Sequence, residues 1–148
     1  MTAATLHAME LFHGAVALVA TSAVAWAALG AVRGRLPGTR LACLAATLAA
    51  VAGASGMALE GAYRSRIRVQ VFARSPGLGW LFERKQHLAF GAIVLALGAA
   101  SVVFALRTAD ASTSPHLSRA ARRALVASAL LAAASSIASI LVAQQHRL

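Results

Sequence analysis

Acidic residues are nearly missing from this chain. Glu10, Glu60, Glu83 and Asp110 are the only four in 148 residues, against 14 Lys and Arg. Charge of either sign is scarce, at 12% of residues, about half the share usual in a soluble domain. Four stretches, residues 11–32, 41–59, 86–106 and 124–145, hold no Lys, Arg, Asp or Glu at all. A soluble helical bundle needs polar outer faces, and these stretches have almost none. Each is close to or above the roughly 20 apolar residues that a helix needs to cross a bilayer. A soluble fold is therefore excluded.

Other absences narrow the function. The single cysteine, Cys43, rules out an internal disulfide and a Cys-x-x-Cys-His haem attachment. It reads as a small buried apolar residue. Aromatics are few, at 5%, and no basic stripe is interleaved with them. The net charge of +10 sits in the connections, where lipid headgroups meet it, so nucleic acid is not an expected partner. The glycines form neither Gly-x-Gly-x-x-Gly nor a phosphate loop, and no nucleophile elbow or Ser-His-Asp order is present. No charged residue lies near the middle of any run, which argues against an ion relay through the core. The first ten residues lack Lys and Arg, whereas a signal peptide opens with a basic region. The first run is expected to be a permanent helix.

The fold expected is an all-α integral membrane protein, a single domain over residues 1–148. Its four transmembrane helices, at about 8–32, 41–60, 84–106 and 120–143, would form an up-down-up-down bundle. The turn at Arg33 to Arg40 carries Gly34, Pro37 and Gly38, residues that break a helix. It is short enough to make the first two helices antiparallel neighbours. A long interfacial connection, residues 61–87, joins helices two and three. Within it, residues 66–72 alternate polar and apolar, a period that fits a short strand or an extended piece lying on the membrane. Trp80 and Phe82 would anchor it at headgroup level.

Small residues form stripes on two of these helices. Ala49, Gly53, Gly56 and Glu60 recur on one face of helix two. They read as a packing face, or as a slot for a flat cofactor with Glu60 at its mouth. His87, Gly91, Val94, Gly98 and Ser101 share a face of helix three and read as an internal packing or homodimer face. Ser128, Ser135 and Ser139 line one stripe of helix four, where serines usually face other helices.

Four spans put both termini and the 61–87 connection on one side, side A. Basic residues are tied, seven a side: Arg64, Arg66, Arg68, Arg74, Arg84, Lys85 and Arg147 on side A, and Arg33, Arg35, Arg40, Arg107, Arg119, Arg122 and Arg123 on side B. The start of the first helix has no basic residue and the loop after it has three. That favours side B in the cytoplasm and the termini outside, in a cell inner or plasma membrane.

Three of the four acids fall on side A with two histidines, at one membrane level. Glu10-x-x-His13 and Glu83-x-x-x-His87 each place two side chains on one helical face. With Glu60 they are candidate ligands for a transition-metal ion. Alternatively, His13 and His87 on facing helices would ligate a b-type haem. Gly91 would leave room for the porphyrin, and Arg64, Arg66 or Arg68 would pair with the propionates. In architecture alone, this resembles the four-helix membrane b-type cytochromes, and no family motif carries the likeness. Electron transfer is what such a cofactor implies. The residues read equally as ion pairs at helix ends, Glu60 with Arg64 and Glu83 with an arginine of the connection. Two other functions remain open. One is a non-catalytic membrane subunit or assembly factor that docks a membrane-protein partner or anionic lipid through the basic 61–87 connection, with the small-residue stripes as the face of a homo-oligomer. The other is a small membrane enzyme using the Glu/His cluster on a lipid-soluble substrate.

Overall fold

The structure, a computed structural model, describes residues 3–107 and 114–144. Asp110, His146 and Arg147 lie outside the described residues, as does the side chain of Arg66. Four helices are long and apolar enough to cross a membrane. They are α1 (Ala3–Val32), α2 (Thr39–Tyr63), α4 (Pro76–Ala105) and α5 (Ser114–Gln144), with a short α3 (Val69–Arg74) between the second and third. Helix α1 packs on α2 and α5, and α4 packs on α2 and α5, which closes a four-helix bundle. Large apolar side chains such as Leu18, Trp26, Met57, Phe90 and Leu130 are exposed on its outside. That pattern is the reverse of a soluble bundle and matches a protein solvated by lipid tails.

The bundle core is built mainly from alanine. Val24, Ala42, Ala45, Ala46, Ala49, Ala96, Ala100, Val103 and Ala121 form one buried cluster, and Ala27, Ala31, Ala99 and Leu125 a second. Lipid tails are as apolar as leucine, so burial of apolar bulk does not drive these helices together. Small side chains let backbones approach and gain van der Waals contact. Two interhelical hydrogen bonds set the register of α5 on α4. Ser128 Oγ, fully buried, donates to Ala92 O at 2.7 Å. Ser135 Oγ donates to Lys85 O at 3.2 Å. The steps from 128 to 135 and from 92 to 85 match in opposite directions, as antiparallel helices require. Ser139 bonds the carbonyl of Ser135 in its own helix instead.

The stripe on α2 is a packing face. A Cβ on Gly53 would collide with Ile93 Cδ1 of α4, and one on Gly56 would stand 3.0 Å from His13 Cε1 of α1. The slot is thus filled by side chains of the chain itself. The stripe headed by His87 differs from the expectation of an internal face. His87, Val94, Gly98 and Ser101 are exposed, and of the stripe's two glycines only Gly91 meets another helix, with Leu131 Cδ1 3.1 Å from where its Cβ would be. Ala92, Ala96, Ala99 and Val103 take the inner face of α4, because an alanine ridge packs almost as closely as glycine without its entropic cost. Cys43 is also exposed rather than buried. It lines a groove between α2 and α4 with Thr47, Leu97, Ser101 and Phe104.

The 61–87 connection is neither a strand nor an extended segment. Helix α2 continues into a π-helical turn, Arg64–Arg68, and then into α3, which ends at Ser75. Ser75 is extended and its Oγ accepts from Leu78 N–H, with Pro76 opening α4. Proline at the first helical position forfeits no hydrogen bond. The alternation of residues 66–72 is thus carried by helix, and the strand reading fails for a local reason. A π turn inserts one residue into the helical ladder and rotates the next stretch of helix by about 100°. Val71 thereby reaches Phe82 of α4 and Val142 of α5 in a third buried cluster, flanked by Tyr63 and Leu78. The Phe72 ring lies over Gly79, where a Cβ would stand 2.5 Å from its nearest ring atoms. It also meets Trp80 edge-on, 5.9 Å between centroids.

Candidate functional site

Taking Arg40 as one membrane surface, about 30 Å of hydrocarbon is crossed by Glu60 at 1.5 Å per residue. The helix then runs on to Arg74, so roughly 20 Å of the α2–α4 hairpin extends past the hydrocarbon on side A. This projecting hairpin, with the start of α1 beside it, carries every described side A residue singled out by the sequence.

Its carboxylates are all engaged. Arg64 Nε donates to Glu60 Oε1 at 2.7 Å, one turn along the same helix. Arg68 Nε donates to Glu83 Oε1 at 2.5 Å, tying the π turn to α4. Glu10 lies 3.9 Å from His7 Nδ1. The ion-pair reading of Glu60 and Glu83 is thus what the geometry contains. Arg68 also lies over the Phe72 ring, 5.2 Å from its centroid, and Lys85 Nζ lies 4.8 Å from that of Phe82. The exposed ion pairs are worth at most about 1 kcal/mol each, so they orient the hairpin more than they stabilise it.

His13 is drawn into the bundle. Its Nδ1 lies 2.9 Å from Ser55 Oγ on α2, and Ser55 Oγ donates to Ala52 O at 2.9 Å. A hydroxyl has one proton; given to Ala52 O, it leaves Ser55 as the acceptor of His13 Nδ1–H. Gly56 is what lets the imidazole lie so close to α2. The hydrogen bond between helices here is therefore His13 with Ser55; Glu10, Tyr63 and Lys85 are half-buried on the same side.

The sequence points to His13 but not to Ser55, its partner on α2. His87 is exposed on α4, while His13 turns inward. Lys85 reads in the sequence only as one basic residue of the connection. The signal that separates it is its spacing of seven from Ala92, which puts it on the inner ridge of α4 and His87 on the outer one. Among the described residues, no three His, Cys, Asp or Glu side chains converge to hold a metal ion. The chain matches no family model, no curated protein and no solved structure.

Proposed function

We propose that this chain is a non-catalytic membrane subunit or assembly factor that docks an acidic surface of a membrane-protein partner through its 61–87 hairpin. The observation that carries this reading is the packed core that the hairpin forms with the end of α5, from Val71, Phe82 and Val142. A connection that only links two spans needs no core. Around that core Arg64, Arg68, Arg74 and Arg84 are exposed with Val69 and Trp80. Arginine and tryptophan beside apolar surface is the composition of protein interfaces. On this reading the protein resides in a cell inner or plasma membrane, with side B cytoplasmic and the hairpin outside.

A photo-crosslinking residue at Gln70, which is exposed on α3, tests this in intact membranes. A discrete protein adduct is expected, weakened by Arg84→Glu with Arg74→Glu, and absent with the crosslinker at Leu130 on the lipid-facing side of α5. Adducts to lipid alone, or a protein adduct indifferent to charge reversal, would refute it.

One observation favours a second reading, a haem b or transition-metal ion held for electron transfer. A ligating histidine commonly donates its other ring N–H to a fixed acceptor, and Ser55 Oγ stands where His13 Nδ1 would find one. His13 Nε2 would then ligate, with His87 as the other axial residue. Arg64, Arg66 and Arg68 would be the propionate partners. His87 must rotate inward for this, and Leu131 must yield at Gly91. Absorption spectra of the oxidised and reduced protein, with metal analysis, decide it. A Soret band lost in both His13→Ala and His87→Ala is expected on this reading, and a colourless metal-free protein expressed with haem and metals supplied removes it.

A further inference from the structure

The opposite membrane face carries a site of different character. Helix α1 ends in a Schellman motif: Arg35 N–H donates to Gly30 O at 2.9 Å and Gly34 N–H to Ala31 O at 3.1 Å. Gly34 has φ 77°, the left-handed conformation that this cap requires and glycine adopts without strain. From α5, Arg122 Nη1 donates to Gly34 O at 3.0 Å and pins the turn to the bundle. A cation at this position also complements the negative end of the α1 dipole. The turn is thus held from two sides, and it sets Arg33 and Arg35 at the head of a groove of about 340 Å³ floored by Trp26, Leu29 and Gly30. Trp26 is 69% exposed and Leu29 50%, so the groove is open to the bilayer below the arginines.

The charge around this groove has no acidic counterpart among the described residues. Their ion pairs, His7–Glu10, Glu60–Arg64 and Arg68–Glu83, lie on side A. Side B carries seven arginines and, in the whole sequence, only Asp110 of opposite sign. Arg33 and Arg35 are both exposed. A basic head above an apolar, aromatic-walled groove at the membrane surface has the polarity of a phospholipid with net negative charge.

We infer that the α1–α2 turn is an anionic-phospholipid site, with the headgroup phosphate between Arg33 and Arg35 and an acyl chain along Leu29 and Trp26. Arg122 is a positioning residue that holds the turn. A zwitterionic lipid offers the same phosphate, but its own ammonium competes with the arginines, so the site discriminates by net charge. This site is independent of the side A hairpin.

The test uses the full chain in nanodiscs of phosphatidylcholine containing increasing phosphatidylglycerol. Basic residues near a membrane surface contribute about 1 kcal/mol each. Arg33→Gln with Arg35→Gln should therefore lower preferential retention of phosphatidylglycerol, read by native mass spectrometry, by roughly 10- to 30-fold. Arg107→Gln with Arg123→Gln, on the same face, should lower it by less than about threefold. Equal losses in the two double variants, or no loss in the first, overturn the site. A second measurement leaves the site intact. In a Trp80→Phe background Trp26 is the only tryptophan, and brominated phosphatidylglycerol should quench its emission at a several-fold lower mole fraction than brominated phosphatidylcholine. Equal quenching by the two lipids overturns the assignment.

Discussion

Replacing Gly79 by alanine should undock α3 while leaving the membrane bundle intact. The new Cβ would stand 2.5 Å from Cγ and Cδ1 of Phe72 and 2.7 Å from Cδ2. Those are the base and flanks of a ring, so the whole side chain must move. Phe72 cannot shift freely, because it is held against Trp80 and under Arg68. Overpacking of this kind costs about 1–3 kcal/mol. Alanine regains about 0.5–1 kcal/mol of helix entropy. The net is about 0.5–2 kcal/mol against the docked hairpin, a roughly 2- to 30-fold shift in its local opening equilibrium. Hydrogen exchange of the segment 69–74 in nanodiscs reads that shift directly. Exchange there should accelerate by that factor, with no change in the Ala96 and Ala99 region of α4. Gly98→Ala is the control, since no atom lies within 4 Å of its added Cβ, and it should leave segment 69–74 unchanged. If Gly79→Ala and Gly98→Ala exchange alike, the packed hairpin on which the docking proposal rests is refuted.

Further perturbations probe other contacts. Ser128→Ala removes the hydrogen bond to Ala92 O and should destabilise the bundle by about 0.6–1.7 kcal/mol in a steric-trap or detergent unfolding assay. Ser128→Val adds bulk to a fully buried position and should cost about 1–3 kcal/mol more. Gly56→Val forces the His13 ring off α2. Nitrogen NMR of His13 should then lose the single Nδ1–H tautomer, and a retained tautomer would contradict the Ser55 hydrogen bond. Arg68→Gln breaks an exposed pair with Glu83 and should lower global stability by less than about 1 kcal/mol, a loss that shrinks further in high salt.

What the sequence determined by itself was the solvent and the architecture. Uncharged runs long enough for a bilayer, separated by arginine-marked breaks, leave four membrane helices as the one arrangement that satisfies every backbone group in lipid. The apolar runs understate the length of these helices, because α2 and α4 continue into polar sequence beyond the hydrocarbon. Only tertiary structure decided what the 61–87 connection is. Its alternating pattern is equally compatible with a strand, until a π turn and the cluster of Val71, Phe82 and Val142 fix it as helix. Tertiary structure also decided which histidine turns inward. His13 and His87 look equivalent along the chain. In space, Gly56 and Ser55 admit the first, while the inner ridge of α4 is taken by Lys85 and the alanines beyond it. In an alanine-rich membrane bundle several faces of a helix are small enough to pack. Side-chain period alone cannot choose among them, and the interhelical hydrogen bonds and close approaches make the choice.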